Sequence, residues 1–187
     1  MGTRGFVGFV SDELETITYN QYDSYPSGMG VDVLNFVRGM DEEFYRNKAA
    51  NIRHVGDSTP PTRDEVVELI GHANLNVSTG SSEEWYVLLR ETHGDAKKIL
   101  DVGFAENAPE WPLDSLFCEW GYLIDFDSRT LDVYQGFQQR PPKTGRWKSD
   151  HPTHDNGYFP VRLVAAYSFD GLPTDEAFVQ TLEKDDE

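Results

Sequence analysis

Two short runs near the start of the chain, residues 4–10 and 15–19, are dense in β-branched and aromatic residues and are separated only by the polar Ser11-Asp12-Glu13-Leu14. That spacing is a hairpin signal, and it commits the chain to a sheet before any helix has formed. A second pair of strand-like runs, residues 120–126 and 131–137, brackets the turn formers Asp127-Ser128-Arg129-Thr130, and residues 161–169 read as a further strand.

Between the hairpins the apolar period changes from two to that of a helix. Val33, Leu34, Val37 and Met40 recur at helical spacing, and residues 41–58 continue as helix or ordered connection. Pro60-Pro61 is followed by Thr62-Arg63-Asp64-Glu65, a capping-box sequence, with Val66, Leu69, Ile70 and Ala73 on one stripe behind it. Ser81-Ser82-Glu83-Glu84 fits a second capping box, opening a helix in which Trp85, Leu88, Leu89 and Thr92 share a face until Gly94. A short helix restarts at Asp95 with Ile99 and Leu100, and the acid-led segment from Pro173-Thr174-Asp175-Glu176 to Leu182 is a last helix.

Strands in runs and helices in runs indicate an α+β fold: an antiparallel sheet, built from the N-terminal hairpin, the C-terminal hairpin and one more strand, packed against three to five helices. A hydrophobic content of 38% over 187 residues supports one substantial core, with no second compositional regime. The expectation is a single domain over residues 1–187, with an acidic tail fraying at about 183–187.

A formal net charge of −17 sets the electrostatics. Such a surface repels a phosphate backbone and an anionic membrane, so neither nucleic acid nor membrane is an expected partner. Apolar stretches fall well short of a bilayer span, and the single cysteine, Cys118, agrees with a reducing cytoplasm, the expected location. Met1-Gly2 would suit myristoylation, but Phe6 occupies the position where that pattern needs Ser or Thr.

The candidate chemistry is thin. Cys118 sits beside an apolar strand, where a free cysteine is usually a small core filler, and His151-Pro152-Thr153-His154-Asp155 has no companion ligand motif, so no metal or other cofactor is expected. Gly28-Met29-Gly30 lacks both the third glycine of a dinucleotide fingerprint and the lysine of a P-loop. Asp125-Phe126-Asp127 lacks the glycine and glutamate of a calcium loop, and alternation places Asp125 and Asp127 on the solvated face of a strand.

Recognition is better represented. Tyr19-Asn20-Gln21-Tyr22-Asp23-Ser24-Tyr25 joins the first hairpin to the first helix. There Asn20, Gln21 and Asp23 offer directional hydrogen bonds, while Tyr19, Tyr22 and Tyr25 supply rigid amphipathic area. The plainer reading is that the tyrosines alternate into the core and Asp23 shapes a turn. The basic stretch Arg140-Pro141-Pro142-Lys143-Thr144-Gly145-Arg146-Trp147-Lys148 is the one reversal of sign, and it adds Arg140, Arg146 and Trp147 as candidate binding residues.

Met1-Gly2-Thr3-Arg4-Gly5, residues 19–30 and Glu119-Trp120-Gly121-Tyr122 together resemble a group of actinomycete and phage proteins with no assigned activity. That likeness implies origin more than function. A second resemblance is to N-terminal-nucleophile hydrolases of the choloylglycine type, with Asp23 at the place of an aspartate of that family. Their Cys or Ser nucleophile is replaced here by Gly2, which has no side chain to attack with, and Thr3 would have to be exposed by trimming.

The resulting expectation is a non-catalytic acidic binding protein, a phage-derived inhibitor or modulator of a host protein that presents a basic surface. The alternative is a small-molecule or amide-bond hydrolase using Asn20 and Asp23.

Overall fold

The computed structural model describes residues 2–183, so most of the expected acidic tail lies outside the described residues. Strands β1 (Gly5–Ser11) and β2 (Leu14–Asn20) form the first hairpin, in antiparallel register from Gly5 opposite Asn20 to Ser11 opposite Leu14. Asp12 and Glu13 turn it with positive φ angles of 50° and 66°, and both their amides donate to the Asp127 carboxylate, at 3.0 and 3.1 Å. Two consecutive left-handed residues give the turn a twist that matches the strands on either side.

The second hairpin pairs β5 (Trp120–Asp125) with β6 (Thr130–Gln135), and β7 (Arg162–Ser168) joins β6 with a bulge at Val133/Tyr134. The sheet order is β2-β1-β5-β6-β7. One pairing departs from the antiparallel expectation: β5 lies parallel to β1, from Gly5 beside Trp120 to Val10 beside Asp125. The long helical middle of the chain acts as the crossover that a parallel pair requires. A small second sheet, β3 (Arg53–Val55) parallel to β4 (Phe104–Glu106), had no counterpart in the sequence reading, because three residues are too few to show a period.

Every residue of β1 and β5 is buried, so these two strands are covered on both faces. Val7, Phe9, Tyr122, Ile124, Leu131 and Val133 belong to the main core, which they share with the helices α1 (Val31–Gly39), α2 (Glu42–Ala50), α5 (Ala96–Val102) and α6 (Asp175–Glu183). Phe6, Val10, Ile17, Leu123 and Tyr134 form a second cluster on the opposite face, roofed by Trp111, Trp147 and Leu163. Each fully buried aliphatic or phenyl side chain contributes about 1.5–3 kcal/mol.

Helix α3 (Arg63–Leu69) begins with the expected capping box: the Thr62 side chain accepts from the Glu65 amide, and the Glu65 carboxylate accepts from the Thr62 amide at 2.8 Å. The second capping box does not form. Ser81 Oγ accepts from Glu83 N, and Ser78 and Thr79 donate to the Glu84 carboxylate. Helix α4 is therefore the single turn Trp85–Leu88, followed by a 3₁₀ turn. Asp95 caps α5, and Gly103, with φ of 73°, closes it. Among the described residues, no helix is long and apolar enough to cross a membrane.

Candidate functional site

The β2–α1 connection is held from both sides. Ser24 N donates to Thr3 O (3.1 Å), Met29 N to Asp23 O (2.9 Å) and Tyr122 Oη to Ser24 O (2.9 Å). Asn20, almost fully buried, spends its side-chain amide on Tyr22 O and on Ser24 Oγ (2.9 Å). Asp23, with φ of 56°, is the residue about which the segment bends. Gly94, with φ of 76°, lies against the Asn20 side chain, and a Cβ there would sit 2.8 Å from Asn20 Oδ1. Positive φ and close approach both require glycine at this point.

Two cavities meet at His93, beside that contact. The outer one, about 420 Å³, is open and polar, with Asn20, Tyr22, Asp23, Asp32, Arg90, Glu91, Asp95 and Lys98 among the residues around it. The inner one, about 220 Å³, runs under Tyr19 between β2, α4 and β4, and has Tyr86, Phe104, Glu106 and Asn107 on its walls. Asn107 and Ala108 close its rim against β2: Ile17 N donates to Asn107 Oδ1 and Ala108 N to Ile17 O, both at 2.8 Å. These bonds also occupy part of the outer edge of β2, an edge that would otherwise invite another strand.

Three buried side-chain polar atoms have no hydrogen-bond partner among the described residues, and two of them, Arg90 Nε and His93 Nδ1, belong to this cleft. Buried polar groups are nearly always paired, so two orphans on residues of one cleft set it apart from the rest of the molecule. Burial, reinforced by the Arg90 charge, lowers the His93 pKa to about 4, and its imidazole is neutral at pH 7. Glu106 shifts the other way, to about 7, through burial and then through the negative charge of Asp57. Its carboxyl has no hydrogen bond or ion pair among the described residues. Burial also raises the Asp32 pKa, helped by Asp95.

Of the residues singled out from sequence, Tyr19 walls the inner cavity, packed edge-on to Trp111 with ring centres 4.9 Å apart. Asn20, Tyr22 and Asp23 line the outer one, Tyr22 being 52% exposed. Gln21 and Tyr25 line neither. Arg140 is exposed on the loop that follows β6 and lines neither cavity.

The two remaining candidates are engaged with the sheet. Arg146 binds Glu15 at 3.3 Å and Asp125 at 3.1 Å, while Trp147 packs on Phe6 and Tyr134 with ring centres 5.4 and 4.7 Å away. They fasten the loop to the sheet. Asp125 is likewise not on a solvated face: it is 5% exposed and accepts from the Asp127 and Ser128 amides, both at 2.9 Å. Cys118 is fully buried with its pKa raised by desolvation, as a core filler should be. His151, His154 and Asp155 are exposed, and no cluster able to hold a metal occurs among the described residues.

Comparison with known proteins finds no matching family model, no matching curated protein and no matching solved structure. Tyr86, Arg90, His93, Phe104 and Glu106 were absent from the sequence reading. A histidine beside a helix-stopping glycine, His93-Gly94, was the only local hint.

Proposed function

We propose that this chain is a non-catalytic binding protein that docks a basic partner protein at the cleft between the β2–α1 connection and residues 90–95. The observation that supports this most directly is the make-up of the outer cavity. Asp23, Asp32, Glu91 and Asp95 surround it against two cations, Arg90 and Lys98, and Lys98 is already engaged by Asp95 at 3.5 Å. With a net charge of −17 on the whole chain, the mouth attracts a basic surface by long-range steering, and the part-exposed Tyr22 offers area for contact.

The alternative, an amide-bond hydrolase working through Asn20 and Asp23, has less support, because the Asn20 amide is spent within its own loop. A short oligolysine peptide titrated into ¹⁵N-labelled protein tests the docking reading. Amide shifts should cluster at residues 20–23 and 90–95, weaken steeply with added salt, and fade in the triple variant Asp23→Asn/Asp32→Asn/Glu91→Gln. Shifts scattered over the acidic surface, or unchanged in the variant, would refute it.

A further inference from the structure

The inner cavity holds a carboxyl that the chain itself does not satisfy. Glu106 lies at the end of β4 with its charge partly out of water, and neither a donor nor a cation meets it among the described residues. Leaving an ionisable group in this state costs free energy that a well-packed apolar residue would not. His93, whose buried Nδ1 is also unpaired, is among the residues of the same chamber.

We propose that this chamber receives a guanidinium, the head of an arginine side chain, with Glu106 as its counter-ion. The proposal deepens the binding reading and rests on it for the source of the arginine, the basic partner.

Four features fit this occupant. The walls are aromatic, with Tyr19, Tyr86 and Phe104 around the space, and a guanidinium stacks on such faces and is more weakly hydrated than an ammonium. Its planar fork matches a carboxylate in a way that a lysine head does not. A volume of about 220 Å³ admits a planar head with part of its aliphatic stem. The charges around Glu106 permit it as well. Asp57 adds negative potential and the His93 imidazole is held neutral by burial; the cations nearest the walls are Arg90, which belongs to the outer cavity with its guanidinium 5.9 Å from the centre of the Tyr86 ring, Arg53, 5.4 Å from the centre of the Phe104 ring, and Arg4, whose charge acts on Tyr19, and none of them pairs with the Glu106 carboxyl. His54 on β3 is turned to Thr16, 2.8 Å away, with its pKa lowered by burial.

The test titrates N-acetyl-arginine methylamide, with the corresponding lysine and citrulline derivatives and ethylguanidinium as controls, into ¹⁵N,¹³C-labelled protein. The arginine derivative should shift Tyr19, Tyr86, His93 and Glu106 and bind about tenfold or more tightly than the other two amino-acid derivatives. Glu106→Gln should lower arginine affinity about tenfold or more while leaving oligolysine binding at the mouth within about twofold. Tyr86→Leu, which keeps the carboxyl, should weaken arginine binding by a smaller factor.

Equal binding of citrulline and arginine, or arginine binding unchanged in Glu106→Gln, would overturn the proposal. Oligolysine binding without arginine binding would overturn it while sparing the docking reading. Arginine binding without oligolysine binding would do the reverse. Ethylguanidinium binding as tightly as the arginine derivative would identify a free small cation, rather than a protein side chain, as the occupant, and so overturn the assignment of its source.

Discussion

Asp125 is a buried carboxyl and Glu106 a half-buried one, and the chain treats them in opposite ways. Around Asp125 it supplies everything the charge needs: two turn amides at 2.9 Å, the Ser128 hydroxyl at 3.3 Å, and Arg146, which reaches in from a loop more than twenty residues downstream and also binds Glu15. Around Glu106 it supplies aromatic rings, a neutral histidine and a second carboxylate, Asp57. A satisfied buried charge fastens one part of a structure to another, whereas an unsatisfied one at the wall of a cavity is a vacancy for something external. The difference separates the loop-covered face of the sheet, where the buried carboxyl is paired, from the cleft beside β2, where it is left without a partner among the described residues.

The sharpest way to break the structural side is Phe6→Ala. Phe6 is fully buried under Trp147 and Tyr134, so the loss should be about 3–5 kcal/mol by urea denaturation. Arg146→Met comes next. It strips the cation from Asp125 and Glu15, and because Arg146 is itself 36% exposed, solvent can replace part of what is lost, leaving about 1–3 kcal/mol.

Glu106→Gln should act with the opposite sign and depend on pH. The folded-state pKa of Glu106 stands above its ordinary value, so its protonated form favours the folded state, fully below about pH 4.5, and that contribution is lost as pH rises through about 7. At about pH 8 the glutamine variant should therefore be more stable than the parent by on the order of 1–2 kcal/mol, after discounting for solvent reaching the carboxyl, and near pH 4 the advantage should vanish. Equal stability differences at both pH values would mean that Glu106 is an ordinary surface acid. Tyr22→Ala, at the exposed mouth, should change stability by no more than about 0.5 kcal/mol while reducing oligolysine binding.

The contrast also explains what could be read in advance. Both hairpins, α1, the Thr62 capping box and α6 were legible because each is written in a short window: alternation, a helical stripe, or a cap three residues from its partner. Tyr19, Asn20, Tyr22 and Asp23, which line the two cavities, stand out in the sequence because turn formers and tyrosines crowd one segment. The chamber was not legible, since Tyr19, Tyr86, His93 and Glu106 come from four separate stretches and gain meaning only when β4 is laid beside β3 and its trailing Asn107-Ala108 is bonded to β2.

The same limit misplaced Asp125. Alternation alone puts it on a face of β5 open to water, but residues 137–161 fold over that face and bring Arg146 to it. Local pattern tells which residues can share a face; only the distant segment that covers the face decides whether a charge on it is solvated, paired or left over.

The most direct measurement is the carboxyl ¹³C resonance of Glu106 followed through a pH titration, in free protein and with saturating N-acetyl-arginine methylamide. The free protein should show a midpoint pushed up to about 7 by burial and Asp57, and the bound protein a midpoint well below it, because a guanidinium favours the ionised form. A midpoint in the ordinary glutamate range without ligand, or one that the ligand leaves in place, would contradict the claim that this carboxyl is held in reserve for an external cation.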